Sequence, residues 1–167
     1  MLVKTFGAAL QGIDAIVITI EVAVSRGYTY SIVGLPDTAI KESNERVRSA
    51  MRESGFEFPR RTVVVNLAPA DVRKEGSAYD LPIAIGVLTA AEEITVSDID
   101  RCMMMGELSL DGSLLPIKGV LPMAIEARRA GFKSMIVPKA NATEAAVVND
   151  IDVYGAENLT EVIDFLS

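Results

Sequence analysis

Residues 80–94, DLPIAIGVLTAAEEI, are apolar around most of a helical turn, and no other segment limits the possible folds as strongly. A helix of that kind has no broad polar face to give to water, so it is buried on most sides of a layered fold. Before it, residues 60–69 (RRTVVVNLAP) carry an apolar run too short for a helix of ordinary length, which reads as a buried strand. A charged bend joins the two, and Gly76 within it tolerates positive φ or close backbone approach. Asp80, just ahead of Leu81 and Pro82, suits an N-cap, with Pro82 near the first turn.

The rest of the chain supplies the strands and helices that such a core needs. Residues 15–27 (AIVITIEVAVSRG) alternate and are rich in β-branched side chains, and residues 28–35 (YTYSIVGL) are expected to return antiparallel as a hairpin. The period then changes. Asp37 can cap a helix over residues 37–54 with Ile40, Val47 and Met51 as its apolar stripe and Gly55 as its end. Further on, Asp111-Gly112 signals a hairpin between two short strands, and residues 119–132 form a helix ended by Gly131. A strand stops at Pro138, Asn141 opens a helix, a short strand covers DVYGA, and a capped helix closes the chain. Strands first, then strands alternating with helices, give one α/β (α+β) domain over residues 1–167 with a mixed sheet packed by helices.

Several chemistries are excluded by what is missing. The chain has no histidine and one cysteine, Cys102, which removes Ser-His-Asp triads, internal disulfides and His- or Cys-based metal cages. No G-x-x-x-x-G-K-[ST] or strand-linked G-x-G-x-x-G is present, so neither ATP nor a dinucleotide cofactor is expected on this chain. The carboxylates at Glu92-Glu93 and Asp98/Asp100 read as solvated surface, and no metal site is expected. The first 24 residues are interrupted by Gln11, Asp14 and Glu21 and read as strands, not a signal peptide, and no membrane span is expected. A cytoplasmic setting fits a lone cysteine.

Two positive features remain. Arg46, Arg48, Arg52, Arg60, Arg61, Arg73 and Lys74 form a basic series, offering a contact surface for DNA or a neighbouring subunit. Glu42, Glu45, Glu53 and Glu57 are interleaved, so pairing along an exposed face accounts for much of it, and a net charge of −7 argues against the chain as a whole as a strong polyanion binder. The second feature is Ser77 in the bend. Without histidine, a serine nucleophile needs a neutral lysine as base, which burial must depress. Lys74 lies beside Arg73 and Glu75, a polar turn ill suited to desolvation, while Lys118 sits in a proline- and glycine-flanked turn; Lys139 is the third lysine to consider.

The motifs V-G-L-P-D, K-E-S-x-E-R-V-R, S-G-F-x-F-P, N-L-A-P-A-D and K-E-G-x-x-Y-D-L-P-I-A occur in one run over residues 33–84. They strongly resemble the N-terminal ChlI-type domain of the magnesium-chelatase-like AAA+ ATPases, the ComM/YifB group. The second half is similar to the proteolytic domain of Lon and the C-terminal domain of RadA, implying the ribosomal-protein-S-five domain-two-like fold. Lon carries its serine in a G-P-S-A-G bend. Laid on EGSAYDL, that serine falls on Ala78, and the Lon lysine, counted on from Leu115-Pro116, falls on Leu121. Ser77 is one residue off, and such a shift points a side chain elsewhere.

The resemblance implies a non-catalytic domain that helps assembly or guides DNA, followed by an AAA+ ATPase module that would hold ATP and Mg. The whole would be an ATP-driven motor on DNA, a homo-oligomeric ring associated with branch migration during natural transformation (competence). Its partners would be its own AAA+ module, other copies of itself and DNA. The alternatives are a Lon-type Ser/Lys peptidase using Ser77 and a nucleic-acid-binding module using the Arg46/Arg52 face.

Overall fold

The computed structural model describes residues 1–167. Strand β1 (Leu2–Gln11) turns at Gly12, whose φ is +63°, into β2 (Asp14–Ser25), and the two pair antiparallel along their whole length. β3 (Tyr30–Val33) leads to a short helix α1 (Thr38–Lys41) and to α2 (Ser43–Glu53). Asp37 caps this entry as expected, its Oδ1 accepting from the Ile40 amide at 2.9 Å. The expected helix over residues 37–54 is thus broken at Glu42, and Gly55 follows it at φ +90°.

β4 (Thr62–Ala68) runs into the bend and then into α3 (Asp80–Ala90). β5 (Cys102–Met104) is followed by the small hairpin β6 (Glu107–Leu108) and β7 (Leu114–Leu115). The chain closes with α4 (Val120–Arg129), β8 (Ser134–Pro138), α5 (Ala142–Ala145), β9 (Asp152–Ala156) and α6 (Leu159–Leu166). Seven strands form one mixed sheet in the order β3-β4-β2-β1-β5-β8-β9.

One pairing differs from expectation. β3 does not return on β2 as a hairpin; it pairs parallel with β4, Tyr30 opposite Val63. The reason is that β4 occupies the free edge of β2, with seven residue pairs from Thr19↔Ala68 to Ser25↔Thr62. The turn after β2 therefore steps over β4, with Gly27 at φ +128° and so close that a Cβ there would lie 2.0 Å from Thr62 Oγ1. Parallel β3 and β4 need a helical connection, which α1 and α2 provide.

Alternation along β1 shows that helices cover both faces. Thr5 Oγ1 donates to the Pro82 carbonyl at 2.9 Å, so odd positions meet α3. Phe6, on the other face, packs against Phe132 just after α4, with ring centroids 5.4 Å apart. Leu10 reaches Gly119 at the start of α4. Asn141 departs from expectation: instead of capping α5, its side chain accepts from the Ile117 amide and donates to the Ile117 carbonyl, both at 2.9 Å.

α3 is buried at every position except Thr89, as its apolar composition requires. It lies so close to the sheet that a Cβ on Gly86 would stand 2.6 Å from Val22 Cγ2. Gly86→Val is therefore expected to cost about 2 kcal/mol by overpacking. Val22→Ala in that background should recover about half of it, a coupling that a urea-unfolding double-mutant cycle measures.

Candidate functional site

The bend between β4 and α3 is held from three sides, and each hold comes from a side chain whose type is dictated by its surroundings. Lys74 is fully buried. Its ammonium donates to the carbonyls of Gly34 at 2.7 Å and Leu67 at 2.8 Å, and to that of Pro69. Three N–H donors thus meet three acceptors, which replaces the water lost on burial. Burial pushes Lys74 below the ordinary lysine value, and Asp71 opposes the shift. Gly34 has φ +101°, and a Cβ there would lie 2.1 Å from the Leu67 carbonyl oxygen, so only glycine brings its own carbonyl into this cage. The reading of Lys74 as a residue of a polar turn is corrected on this geometry. Its neighbours Arg73 and Glu75 are exposed, but its own side chain points inward, so it is neither a surface contact for DNA nor a free base.

Asp37 is the second hold. While Oδ1 caps α1, Oδ2 accepts from the Gly76 amide at 2.9 Å, and Gly76 has φ +91°. Backbone bonds from Lys74 N to the Leu35 carbonyl and from Asp37 N to the Lys74 carbonyl tie the same two segments together.

Asp80 is the third. Its side chain is 1% exposed and does not cap α3 as expected; it accepts from Arg46 Nε at 2.6 Å and Nη2 at 3.0 Å, and from the Leu108 amide at 3.0 Å. Arg46 also donates to the Ala39 carbonyl at 2.7 Å. Burial pushes the Asp80 carboxyl up to about 6, against the lowering pull of Arg46 and Leu108. Arg46 in turn is raised, chiefly by its bond to Asp80. Arg46 belonged to the expected DNA-contact series; its guanidinium is instead spent on locking α2 to α3 and the β6 hairpin.

These holds shape a cleft of about 650 Å³ beside Gly76. Ser77, Ala78, Glu107, Lys118 and Arg73 line it together with Ala8, Ala9 and Leu10 at the end of β1. Ser77 Oγ donates to Glu107 Oε1, a contact spanning thirty residues that nothing local in the sequence announces. Ala78 lines the cleft, whereas Leu121 packs half-buried against the core, its amide donating to Glu144 Oε2 at 3.2 Å. Lys118 is exposed and shares the cleft with Ser77. Lys139 pairs on the surface with Glu157 at 2.8 Å.

The remaining basic residues divide. Arg48, Arg52 and Arg60 line one shallow depression with Phe56, Glu57 and Phe58, and Arg61 adjoins it in the chain. Arg73 lies apart, at the cleft, 3.5 Å from an equally exposed Glu75, a contact of little energetic weight.

The Arg46–Asp80 geometry has a consequence with a definite sign. Arg46→Met strands a buried carboxylate and is expected to cost about 3 kcal/mol at about pH 8. A carboxyl whose folded value lies above its unfolded value of about 4 gains stability on protonation, so stability from Asp80 is present at low pH and lost as pH rises through the folded value. With Arg46 gone that value rises further, and the deficit should narrow between about pH 8 and about pH 5. Urea-unfolding midpoints at the two ends check this; a deficit independent of pH contradicts it.

A profile of the family described as ChlI, subunit ChlI of Mg-chelatase, matches residues 20–141. The chain is 41% identical over 163 residues to competence protein ComM of Haemophilus influenzae, covering 97% of this chain and 32% of that protein. It is 44% identical over 159 residues to the protein YifB of Salmonella typhimurium, covering 95% and 31%. It is also 32% identical over 117 residues to an archaeal Lon protease of Pyrococcus abyssi, covering 68% of this chain and 12% of that one. The chain therefore spans about a third of the length of its ComM and YifB relatives. It belongs to the magnesium-chelatase-like ChlI family, as the Lon-like N-terminal domain of the ComM and YifB group.

Proposed function

We propose that this domain is a non-catalytic framework that serves an AAA+ ATPase module by helping assembly and guiding DNA. The observation that carries the reading is the chemistry of the cleft. By the resemblance to Lon, Ala78 in the cleft and Leu121 beside the core take the positions of the serine and the lysine, and neither can transfer a proton. Two of the nearby substitutes are engaged: the Ser77 hydroxyl donates to Glu107, and the Lys74 ammonium is enclosed by three carbonyls. A lysine base must be neutral, and a cage of three acceptors favours the charged form. On this reading ATP and Mg are bound by a module outside this chain, and the working protein is a cytoplasmic ring acting on DNA in branch migration, in line with the competence role named for the Haemophilus relative.

The competing reading is a Ser/Lys peptidase, which the shared position of Ser77 and Lys118 on one cleft keeps testable. A fluorophosphonate probe is expected to leave the domain unlabelled, and casein is expected to remain intact. Labelling at Ser77 that disappears in both Ser77→Ala and Lys118→Met would establish the peptidase and end the framework reading.

A further inference from the structure

One end of the sheet gathers arginines without ion-pair partners around one exposed ring, Tyr28, and the half-buried rings of Tyr30, Phe56 and Phe58, and that end lies apart from the cleft. β2 finishes at Ser25 opposite Thr62, and β3 starts at Tyr30 opposite Val63, so the turn of residues 26–29 sits directly beside the start of β4. The Val63 amide donates to the Thr29 carbonyl at 2.8 Å, and a Cβ on Gly27 would collide with Thr62, which fixes the turn there. This places Arg26 and Tyr28 next to Arg60 and Arg61. Arg48 joins them from α2, its guanidinium 3.8 Å from the Phe58 ring centroid and 6.0 Å from that of Tyr30. Arg52 shares the same depression.

Arg26, Arg48, Arg52, Arg60 and Arg61 make no salt bridge; the four ion pairs of the chain involve Arg46, Arg73, Arg129 and Lys139. Glu57 is the one carboxylate in the depression. Five guanidinium groups without an ion pair, with one carboxylate among them, on one edge of a chain with net charge −7 are a concentrated, localised field. Tyr28 is 91% exposed, leaving its ring free to be covered. Arg48, its guanidinium over the Phe58 ring, offers a second stacking group.

We infer that this end of the sheet binds a single-stranded polynucleotide, its phosphates on Arg52, Arg60 and Arg61 and an unstacked base on Tyr28. Guanidinium forks match phosphate oxygens, and an exposed ring takes any base on its π-face. An acidic protein surface would also satisfy the arginines and cover the ring, and the salt slope and the self-association outcome below tell it apart from a phosphate chain. A duplex presents no unstacked base. The inference deepens the DNA-guiding half of the function proposed above and rests on it, and it relocates the contact away from Arg46 and Lys74, which are committed inside the fold.

The test is fluorescence anisotropy of a labelled single-stranded thymidine oligonucleotide with the 167-residue chain, at several salt concentrations. Binding is expected at low salt, with affinity falling linearly on a log–log plot at about −0.7 per phosphate contacted. Arg60→Glu with Arg61→Glu should weaken it at least tenfold and flatten the salt slope. The same charge change on α4, Arg128→Glu with Arg129→Glu, should leave it close to wild type. Tyr28→Ala should weaken binding about fivefold or more with the salt slope unchanged, because stacking is not ionic. Circular dichroism of each variant verifies its fold. Lack of binding at low salt overturns the inference, as does equal loss in both arginine pairs. Duplex bound as tightly as single strand, with no effect of Tyr28→Ala, overturns it too. So does a result in which Arg60 and Arg61 govern only self-association, which would make this end a contact between copies. None of these failures touches the fluorophosphonate result, so failure of the surface and failure of the framework reading are separable.

Discussion

The ammonium of Lys74 is the point on which the site depends. β4 ends at Ala68 and β3 at Val33, and parallel strands that stop side by side leave carbonyls pointing into the space beyond them. Unpaired and buried, each would cost about 1–3 kcal/mol. Lys74 reaches back from the bend and satisfies the carbonyls of Gly34, Leu67 and Pro69 with one group. The bend is thereby fixed relative to both strands, and the direction in which Ser77 and Ala78 leave it follows. A cation used in this way is structural, and its retention as an ammonium is what the three acceptors favour.

The Arg46–Asp80 pair repeats the principle one layer away. Asp80 opens a helix that is otherwise apolar, and its carboxylate would be an uncompensated buried charge without the guanidinium fork and the Leu108 amide. The pair joins α2, α3 and the β6 hairpin, and the Leu108 amide on Asp80, with the Gly106 backbone bonds to Ala78 and Leu81, places the hairpin that brings Glu107 to Ser77. Asp37 does the same on the opposite flank, with one oxygen for α1 and one for Gly76.

Local patterns told the truth wherever the physics is local. The apolar α3, the Asp37 and Asn158 caps and the Asp111-Gly112 hairpin follow from residue type and spacing, and all are present. Readings failed where a partner distant in the chain decides. β3 looked like the mate of β2 because the insertion of β4 between them is a matter of topology, which alternation does not encode. Lys74 sat among exposed charges in the sequence, yet its acceptors lie up to forty residues away. Asn141 looked like a cap and instead grips both backbone groups of Ile117. The cleft partner Glu107 had no local signal at all.

The same distinction sorts the basic residues. Counting charges along the chain put Arg46 and Lys74 with Arg48, Arg52, Arg60 and Arg61, because a sequence shows which residues carry a proton and not what accepts from it. Acceptors separate them. Lys74 has each donor direction filled from within the fold, and Arg46 has its Nε and Nη2 donors taken by Asp80 and the Ala39 carbonyl, so removing a partner would expose a buried polar group. The arginines at the end of the sheet have no carboxylate partner of their own; Arg48 donates to Asn44 Oδ1 at 2.6 Å, and for Arg52, Arg60 and Arg61 a ligand displaces guanidinium hydration, which is weak. A cation already satisfied inside a fold holds that fold in shape, while one left unsatisfied beside an open ring is available to something outside it.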